Sequence, residues 1–299
     1  MKLILLTGVT GFLGNKLARA LLGKGHVILA TVRDISDYWR ILDIMDHPNL
    51  HLINIDHVSF GEIFRKNKIK VVIHLATNYG RLGSKVEEVI HANLIFPIQL
   101  LQIAIKYKVD MFINTDSYFN KYNFTYSVLP EYSLSKKNFK SWLTHYAKDI
   151  HIANLVIEHM YGEGDSSSKF VENIIRKVAI LQEETFLLTS GSQVRDFIHV
   201  DDVVAAYLCI LENKPTYDSD SLSFEVGTSV GTSILDFARL VKEISSSPTS
   251  LRFGAIKDRK DEISLSIADA SRLKALGWNC LININTGLNR TIDFYKASL

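Results

Sequence analysis

Met1-Lys2-Leu3-Ile4-Leu5-Leu6-Thr7-Gly8-Val9-Thr10-Gly11-Phe12-Leu13-Gly14 is the stretch whose reading decides the fold. Leu3 to Leu6 is an unbroken apolar run that reads as a buried strand, and a helical pattern opens from Asn15 to Gly23. Between them Gly8, Gly11 and Gly14 give the spacing G-x-x-G-x-x-G. Glycines so placed permit a tight turn, a close backbone approach to a ligand, and close packing of the helix on the sheet. Backbone N–H groups at a helix start, together with the helix dipole, suit a pyrophosphate. The spacing alone is weak evidence, but its place directly between strand and helix points to a dinucleotide. Gly8, Thr10, Gly11, Phe12, Leu13 and Gly14 are the candidate contacts.

Outward from this loop, strand-like runs alternate with helical patterns. The runs Lys2–Thr7, His26–Val32, Leu50–Ile55, Val71–Ala76, Met111–Thr115 and Ile152–Ile157 are rich in Val, Ile and Leu, as in strands covered on both faces. Helical patterns cover Asn15–Gly23, Val86–Tyr107 and Tyr132–Lys148. This alternation predicts an α/β fold, a doubly wound parallel Rossmann sheet with right-handed crossovers. After Glu158 the rhythm changes: a Gly/Ser loop, a helix from Phe170 to about Leu181, a turn at Ser190–Gln193, and a strand at Val194–Val200 returning to the sheet. Residues 1–160 and 194–226 are expected to form the dinucleotide-binding domain. Residues 161–193 and 227–299 are expected to form a smaller, substrate-binding lobe.

Composition narrows the function. Hydrophobic residues make up 47% of the 299 and charged residues 22%, which is enough to build a large core. With 34 basic and 32 acidic side chains, a net charge of +2 provides no field for nucleic acid. Cys209 and Cys280 exclude a disulfide framework and favour a reducing compartment. The apolar run after Lys2 is too short for a signal peptide, and no run approaches the ~18 apolar residues of a membrane span. A cytoplasmic protein without nucleic-acid or membrane partners is expected, and the sequons Asn123-Phe-Thr125 and Asn289-Arg-Thr291 are chance matches. His47 and His51 flank Pro48 without a third ligand, so no metal is expected.

The second strand ends in Val32-Arg33-Asp34, where the adenosine ribose lies in such folds. An acid there accepts from a free 2′-hydroxyl, whereas an arginine pairs with a 2′-phosphate. Arg33 points to NADPH/NADP; the other reading gives the ribose to Asp34 and the cofactor as NAD. Asp56, after the third strand, is placed for the adenine or for a cap.

Tyr132-Ser133-Leu134-Ser135-Lys136 sets a phenol and an ammonium four residues apart on one helical face, and Phe139 and Leu143 turn that face inward. An ammonium near a phenol favours the ionised phenol, so this pair fits proton transfer at a reacting oxygen. A third member is expected at the end of the fifth strand, in Asn114-Thr115-Asp116-Ser117. Thr115 is the first choice for the hydroxyl that holds a substrate carbonyl, Ser117 is its rival, and Asp116 is an extra acid or a cap.

The glycine loop, His74-Leu75-Ala76-Thr77, Asn93, Tyr132/Lys136, Tyr161-Gly162 and Arg195-Asp196-Phe197-Ile198-His199-Val200-Asp201-Asp202 together resemble the extended short-chain dehydrogenase/reductase family. Within it, Leu75 to Gly80, Phe112 to Ser117, Glu158 to Gly162 and Phe253 to Ile256, running on to Arg259 and Glu262, look like the CDP-abequose and CDP-paratose synthase type of nucleotide-sugar 4-ketoreductase. The resemblance implies NADPH-dependent reduction of the C4 keto group of a nucleotide-diphosphate 4-keto sugar, in surface-polysaccharide sugar synthesis. It implies that Leu75, Ala76 and Thr77 border the cofactor, that Thr77 and Tyr79 line the sugar pocket, and that Glu158 and His159 close it. Lys169, Arg195 and Arg259 are implied for the substrate diphosphate, and a homodimer is implied by the family. Glu163 departs from the proline many relatives carry after Tyr-Gly. A 4-epimerase or 4,6-dehydratase with bound NAD, a reductase of GDP-linked 4-keto-6-deoxy sugars, and a non-catalytic NADP-binding regulator are the alternatives. Ser117 stands where dehydratases carry a second carboxylate, and Arg33 argues against NAD, which leaves reduction.

Overall fold

The computed structural model describes residues 1–81, 83–121, 129–214 and 222–297. The sequon at Asn123 lies outside the described residues. Six strands, β1 (Leu3–Thr7), β2 (Val27–Val32), β3 (Leu50–Asn54), β4 (Val71–His74), β5 (Met111–Ser117) and β6 (Ile152–Ile157), join a last strand, Ser223–Val226, in one seven-stranded sheet. Its order is β3-β2-β1-β4-β5-β6 followed by Ser223–Val226. Pairing is parallel, with Leu3 opposite Val27, Ile28 opposite Leu50, Ile4 opposite Val71 and Val71 opposite Met111. The fold class is the doubly wound one expected. β4 and β6 are buried along their whole length, which explains why they read as apolar runs without alternation. Leu5, Phe112 and Ile152 pack with Leu100, Leu101, Phe139 and Leu143 from the covering helices.

The chain leaves β1 towards β2 and β3, then returns to the other side of β1 as β4. Ligands in such sheets bind where the order reverses, at the carboxyl ends of the strands. That crevice here lies between the ends of β1 and β4. The helical stretch Val86–Ile90, His91–Ile95 and Phe96–Lys106 contains a π-helical turn in its middle part, which carries the buried Asn93. By length and composition Val86–Lys106 is apolar enough to cross a bilayer, with 33% of its most apolar window buried in the protein. The sequence reading found no such run because Glu87, Glu88, His91 and Asn93 interrupt it.

The expected strand Val194–Val200 does not join the main sheet. It breaks at Asp196 into Val194–Arg195 and Phe197–His199, which pair with other short strands. The cause is the Asp196 carboxylate, fully buried and needing donors that a regular strand cannot supply. It receives the backbone N–H groups of Thr228, Ser229 and Ala268 and the Thr228 hydroxyl. The seventh place in the sheet goes to Ser223–Val226, whose alternating burial is that of a short edge strand.

Contacts divide the chain into two compact units, Met1–Val156 with Tyr207–Phe224, and Ile157–Ala206 with Glu225–Leu299. In the second unit, helices Ile234–Ser245 and Ile284–Lys296 share a core with Val171, Ile174, Val178, Phe197 and Tyr161. Phe197 and Phe237 stack at its centre, 4.0 Å apart.

Candidate active site

At the end of β1 the chain turns through Gly8, whose φ of +75° is left-handed backbone that glycine adopts without strain. A Cβ there would meet the backbone of Ala76 at 2.9 Å, so β1 and the segment after β4 approach as closely as backbones can. Thr7 fixes that approach. Its Oγ1 accepts from the N–H groups of Leu75 and Ala76, at 3.1 and 3.2 Å, and lies 2.9 Å from His74 Nδ1. A Cβ at Gly14 would run into the Gly8 carbonyl, which is why helix Phe12–Gly23 can start so close to the strand. Its first turn carries no acidic residue and Gly11 supplies no side-chain cap, an arrangement whose helix dipole suits an anion.

After β2, Arg33 is exposed and its N–H donates to Ser36 Oγ. Asp34 is engaged elsewhere: its Oδ1 accepts from Asn54 Nδ2 at 2.6 Å and lies 3.0 Å from His57 Nε2. Asp56 accepts the Asp34 N–H, so one of its oxygens caps this turn. The structure adds Arg40, which sequence reading missed. Its guanidinium lies over the Trp39 ring at 4.2 Å and reaches the Thr10 carbonyl at 3.4 Å. Arg19, from helix Phe12–Gly23, holds this loop by donating to the Arg40 carbonyl and, bidentately, to Asp43. No local motif announces Arg40; only the fold brings it beside the glycine loop.

Tyr132 and Lys136 project from helix Pro130–Tyr146, started by Pro130 in its first turn. Both are buried. Lys136 Nζ donates to the Thr115 carbonyl at 2.9 Å. Burial lowers its pKa to about 8, and the nearby Asp116 carboxylate opposes that fall. Tyr132 is pushed well above its ordinary pKa by burial, with Tyr79 and Asp116 adding to the rise. The expected depression by Lys136 is thus not what this chain alone produces; the phenol keeps its proton. Ser117, beside that phenol, pulls the other way. Thr115 is turned to other partners: Oγ1 donates to the His74 carbonyl at 2.9 Å and lies 2.5 Å from the Tyr207 hydroxyl. Asp116 is buried in an amide cage. Oδ1 accepts from Asn120 Nδ2 and the Ser117 N–H, and Oδ2 from Asn154 Nδ2.

Asn93 organises the segment after β4. Its Oδ1 accepts from Thr77 Oγ1 and the Asn78 N–H, while its Nδ2 donates to the Asn78 carbonyl and Ser135 Oγ. A π-turn in a functional helix is a recurring way to present such a side chain. Tyr79 then stacks on Tyr132 at 4.9 Å and 25°. In the second unit, Glu158 is buried and both its oxygens accept from Ser266 Oγ. His159 lies against the Phe197 ring at 5.0 Å. The three candidate diphosphate cations face carboxylates: Lys169 meets Asp165 at 2.9 Å, Arg195 meets Glu262 at 2.6 Å, and Arg259 meets Glu262 at 3.7 Å.

Comparison with known proteins gives the family. The profile of the NAD dependent epimerase/dehydratase family matches residues 4–227. The chain belongs to that family. CDP-abequose synthase of Salmonella typhimurium strain LT2 is 35% identical over 97% of both chains. CDP-abequose synthase of Salmonella muenchen is 32% identical over 98% of this chain and 97% of its own. Among solved structures, UDP-glucuronic acid 4-epimerase from Bacillus cereus with UDP-glucuronic acid and NAD has a TM-score of 0.85, at 22% identity, covering 99% of this chain and 100% of that one. At that identity the likeness speaks for the fold alone.

The family's nicotinamide dinucleotide can be tested against the residues present. The cradle at Gly8 and Gly14 is one that any Cβ would fill, and the adjoining helix start has no side-chain cap and no acidic residue in its first turn. These features fit a dinucleotide diphosphate. Gly8 to Gly14 would hold it, with Leu75 and Ala76 bordering the crevice and Arg33 and Arg40 beyond β2.

Proposed function

We propose that this protein is an NADPH-dependent reductase of the C4 keto group of a CDP-linked deoxysugar, such as a CDP-4-keto-3,6-dideoxyhexose. The observation that carries this reading is the occupied state of Asp116. Both of its oxygens are engaged by amide and backbone donors inside the protein. Elimination of water needs an acid and a base beside the phenol, and Ser117 stands in place of a second carboxylate. One proton donor and one hydroxyl remain, which is the equipment of a carbonyl reduction. Likeness to CDP-abequose synthases along nearly the whole chain supports the choice of nucleotide.

When bound, the reduced nicotinamide supplies hydride. Tyr132, kept protonated by burial, gives its proton to the carbonyl oxygen as negative charge develops there. Lys136 carries its charge to about pH 8 and sits against the strand that bears both candidate hydroxyls. A hydroxyl at the end of β5 fixes the oxygen, and Tyr79, stacked on Tyr132, excludes water from the phenol. The test is to mix the enzyme with NADPH and a CDP-4-keto-3,6-dideoxyhexose. One NADPH oxidised per 4-hydroxy product is expected. Sugar interconversion or dehydration with no net change in the dinucleotide would sink the reading.

A further inference from the structure

We propose that the amino end of the sheet carries a second binding site, a basic cleft beside the starts of β4 and β5 that takes a nucleotide by its phosphates and its base. Segments 60–70 and 106–110 meet there. Helix Phe60–Lys66 leads into β4, and helix Phe96–Lys106 leads into β5. The Asp110 N–H donates to the Lys70 carbonyl at 2.9 Å, and the Phe64 and Tyr107 rings lie 5.7 Å apart. β5 runs about 20 Å from this end to Ser117, so a ligand here sits at the opposite end of the strands from the crevice between β1 and β4. The site stands independently of the reductase reading.

Charge is the first observation. The two segments hold six cations, Arg65, Lys66, Lys68, Lys70, Lys106 and Lys108, and two carboxylates, Glu62 and Asp110. Lys66 takes Glu62 at 2.6 Å, and Lys70 takes Asp110 at 3.5 Å. Arg65, Lys68 and Lys108 are exposed and form no ion pair among the described residues. Cations gather at helix carboxyl ends to offset the dipole, but each end is worth only about half a charge. Two such ends and two carboxylates leave about three positive charges uncompensated. That exceeds the net +2 of the whole chain. Like charges held together repel, and an anion that arrives among them relieves the repulsion.

Shape is the second. The cations rim a cleft of about 380 Å³, within the usual range for small-molecule sites. Phe64 and Ile69 are buried and Tyr107 is half-buried, which gives an apolar floor with aromatic rings. Arg65, Lys66 and Lys68 stand exposed around it. Phosphate alone needs only the rim, and a hydrocarbon needs only the floor. A ligand that uses both carries a flat ring and a phosphate chain, which is the chemistry of a nucleotide. An aromatic side chain is a stacking surface for a base, and an arginine can pair with phosphate through two parallel bonds. Asn67 keeps the rim in shape by donating Nδ2 to the Ile63 carbonyl at the end of its helix. A bilayer surface would be met better by apolar side chains exposed among the cations, and no large apolar side chain of either segment is exposed.

The full chain, with NADP saturating so that the glycine loop is filled, is acetylated briefly with and without CDP, and each lysine is read by mass spectrometry. At a CDP concentration about ten times Kd, Lys68 and Lys108 should react about tenfold more slowly, and 5′-ADP should act alike. Exposed Lys296, in the other unit, should keep its rate. Arg65→Ala/Lys68→Ala removes two phosphate contacts, so the Kd read from Lys108 should rise by about 10–100-fold. Added salt should weaken the site as well. Inorganic pyrophosphate, which reaches only the rim, should protect less than CDP, and Tyr107→Leu should bring CDP down to its level. Where that variant does not fold, the comparison of pyrophosphate with CDP on the wild type makes the same test. Unprotected Lys68 and Lys108, or protection that survives Arg65→Ala/Lys68→Ala, overturns the site. Pyrophosphate as effective as CDP overturns the nucleotide. Binding to phosphatidylglycerol vesicles without protection by CDP overturns it too, in favour of a bilayer. None of these outcomes bears on NADPH oxidation, so this site and the reductase reading fail separately.

Discussion

Two ledges of the same sheet are built differently. At the end of β1 the surface is backbone: three glycines, a helix start, and the close approach of Gly8 to Ala76. At the end of β5 it is side chain: a buried phenol, Thr115 tied down, Asp116 caged. The first ledge works because atoms are missing, so an added side chain damages it wherever it falls. The second works because particular protons are assigned to particular oxygens, so it fails selectively, and kinetics can tell its members apart. The largest expected effect falls here. Tyr132→Phe keeps the ring stacked on Tyr79 and removes only the proton, so turnover should fall by about 10²–10⁴-fold. NADPH binding should be retained by calorimetric titration. Equal losses of both would show that the two ledges are not separable.

How far each ledge can be read from sequence follows the same division. Glycine spacing after an apolar strand announces the cradle because the needed property, no Cβ, is a property of the residue itself. Tyr132 and Lys136 are legible because helical spacing puts them on one face whatever surrounds them. Thr115 and Ser117 are both hydroxyls on one strand face, and sequence leaves them as rivals. What ties Thr115 down is Tyr207, ninety-two positions beyond it in the chain and carried by helix Val200–Asn213. Arg40 is hidden for the same reason. The break at Asp196 was likewise invisible, since its donors come from Thr228, Ser229 and Ala268.

Lys136 lets the side-chain ledge be weighed by stability. Its folded pKa is about 8 against 10.5 for the free side chain, so the unfolded state binds more protons between those values. Stability therefore rises with pH through that window, by roughly 3 kcal/mol at about 1.36 kcal/mol per pH unit. Urea unfolding of the wild type against Lys136→Met should show that rise in the wild type and a flatter profile in the variant. Parallel profiles would mean that the ammonium is not desolvated as the structure has it. The backbone ledge should respond a little less: Gly14→Val forces a side chain into the Gly8 carbonyl. Overpacking of that kind costs about 1–3 kcal/mol, so dinucleotide affinity should drop by about 10–100-fold. Far-ultraviolet circular dichroism should show the rest of the fold intact.

The smallest effect tests where the two kinds of ledge meet. The cradle cannot distinguish NADP from NAD, because backbone N–H groups see only the shared diphosphate. Choice must come from side chains beyond β2. Asp34, the residue that could favour a free 2′-hydroxyl, is occupied by Asn54 and His57. Arg33 is exposed, and Arg40 is braced on Trp39 against the loop that carries Thr10. A guanidinium held flat on an indole has lost part of its rotamer freedom before a 2′-phosphate arrives, so less is lost on binding. Arg40→Ala should weaken NADP by about tenfold, near 1.4 kcal/mol for one exposed charge-assisted contact, and leave NAD unchanged. Arg33→Ala should do the same, and the double variant should erase the preference. The preference should also shrink with added salt, since both arginines lie in reach of solvent. Titration of 2′,5′-ADP against 5′-ADP isolates the phosphate from the nicotinamide end. Equal affinities in the wild type would remove NADP from the reading while leaving the phenol and the proposed reduction untouched.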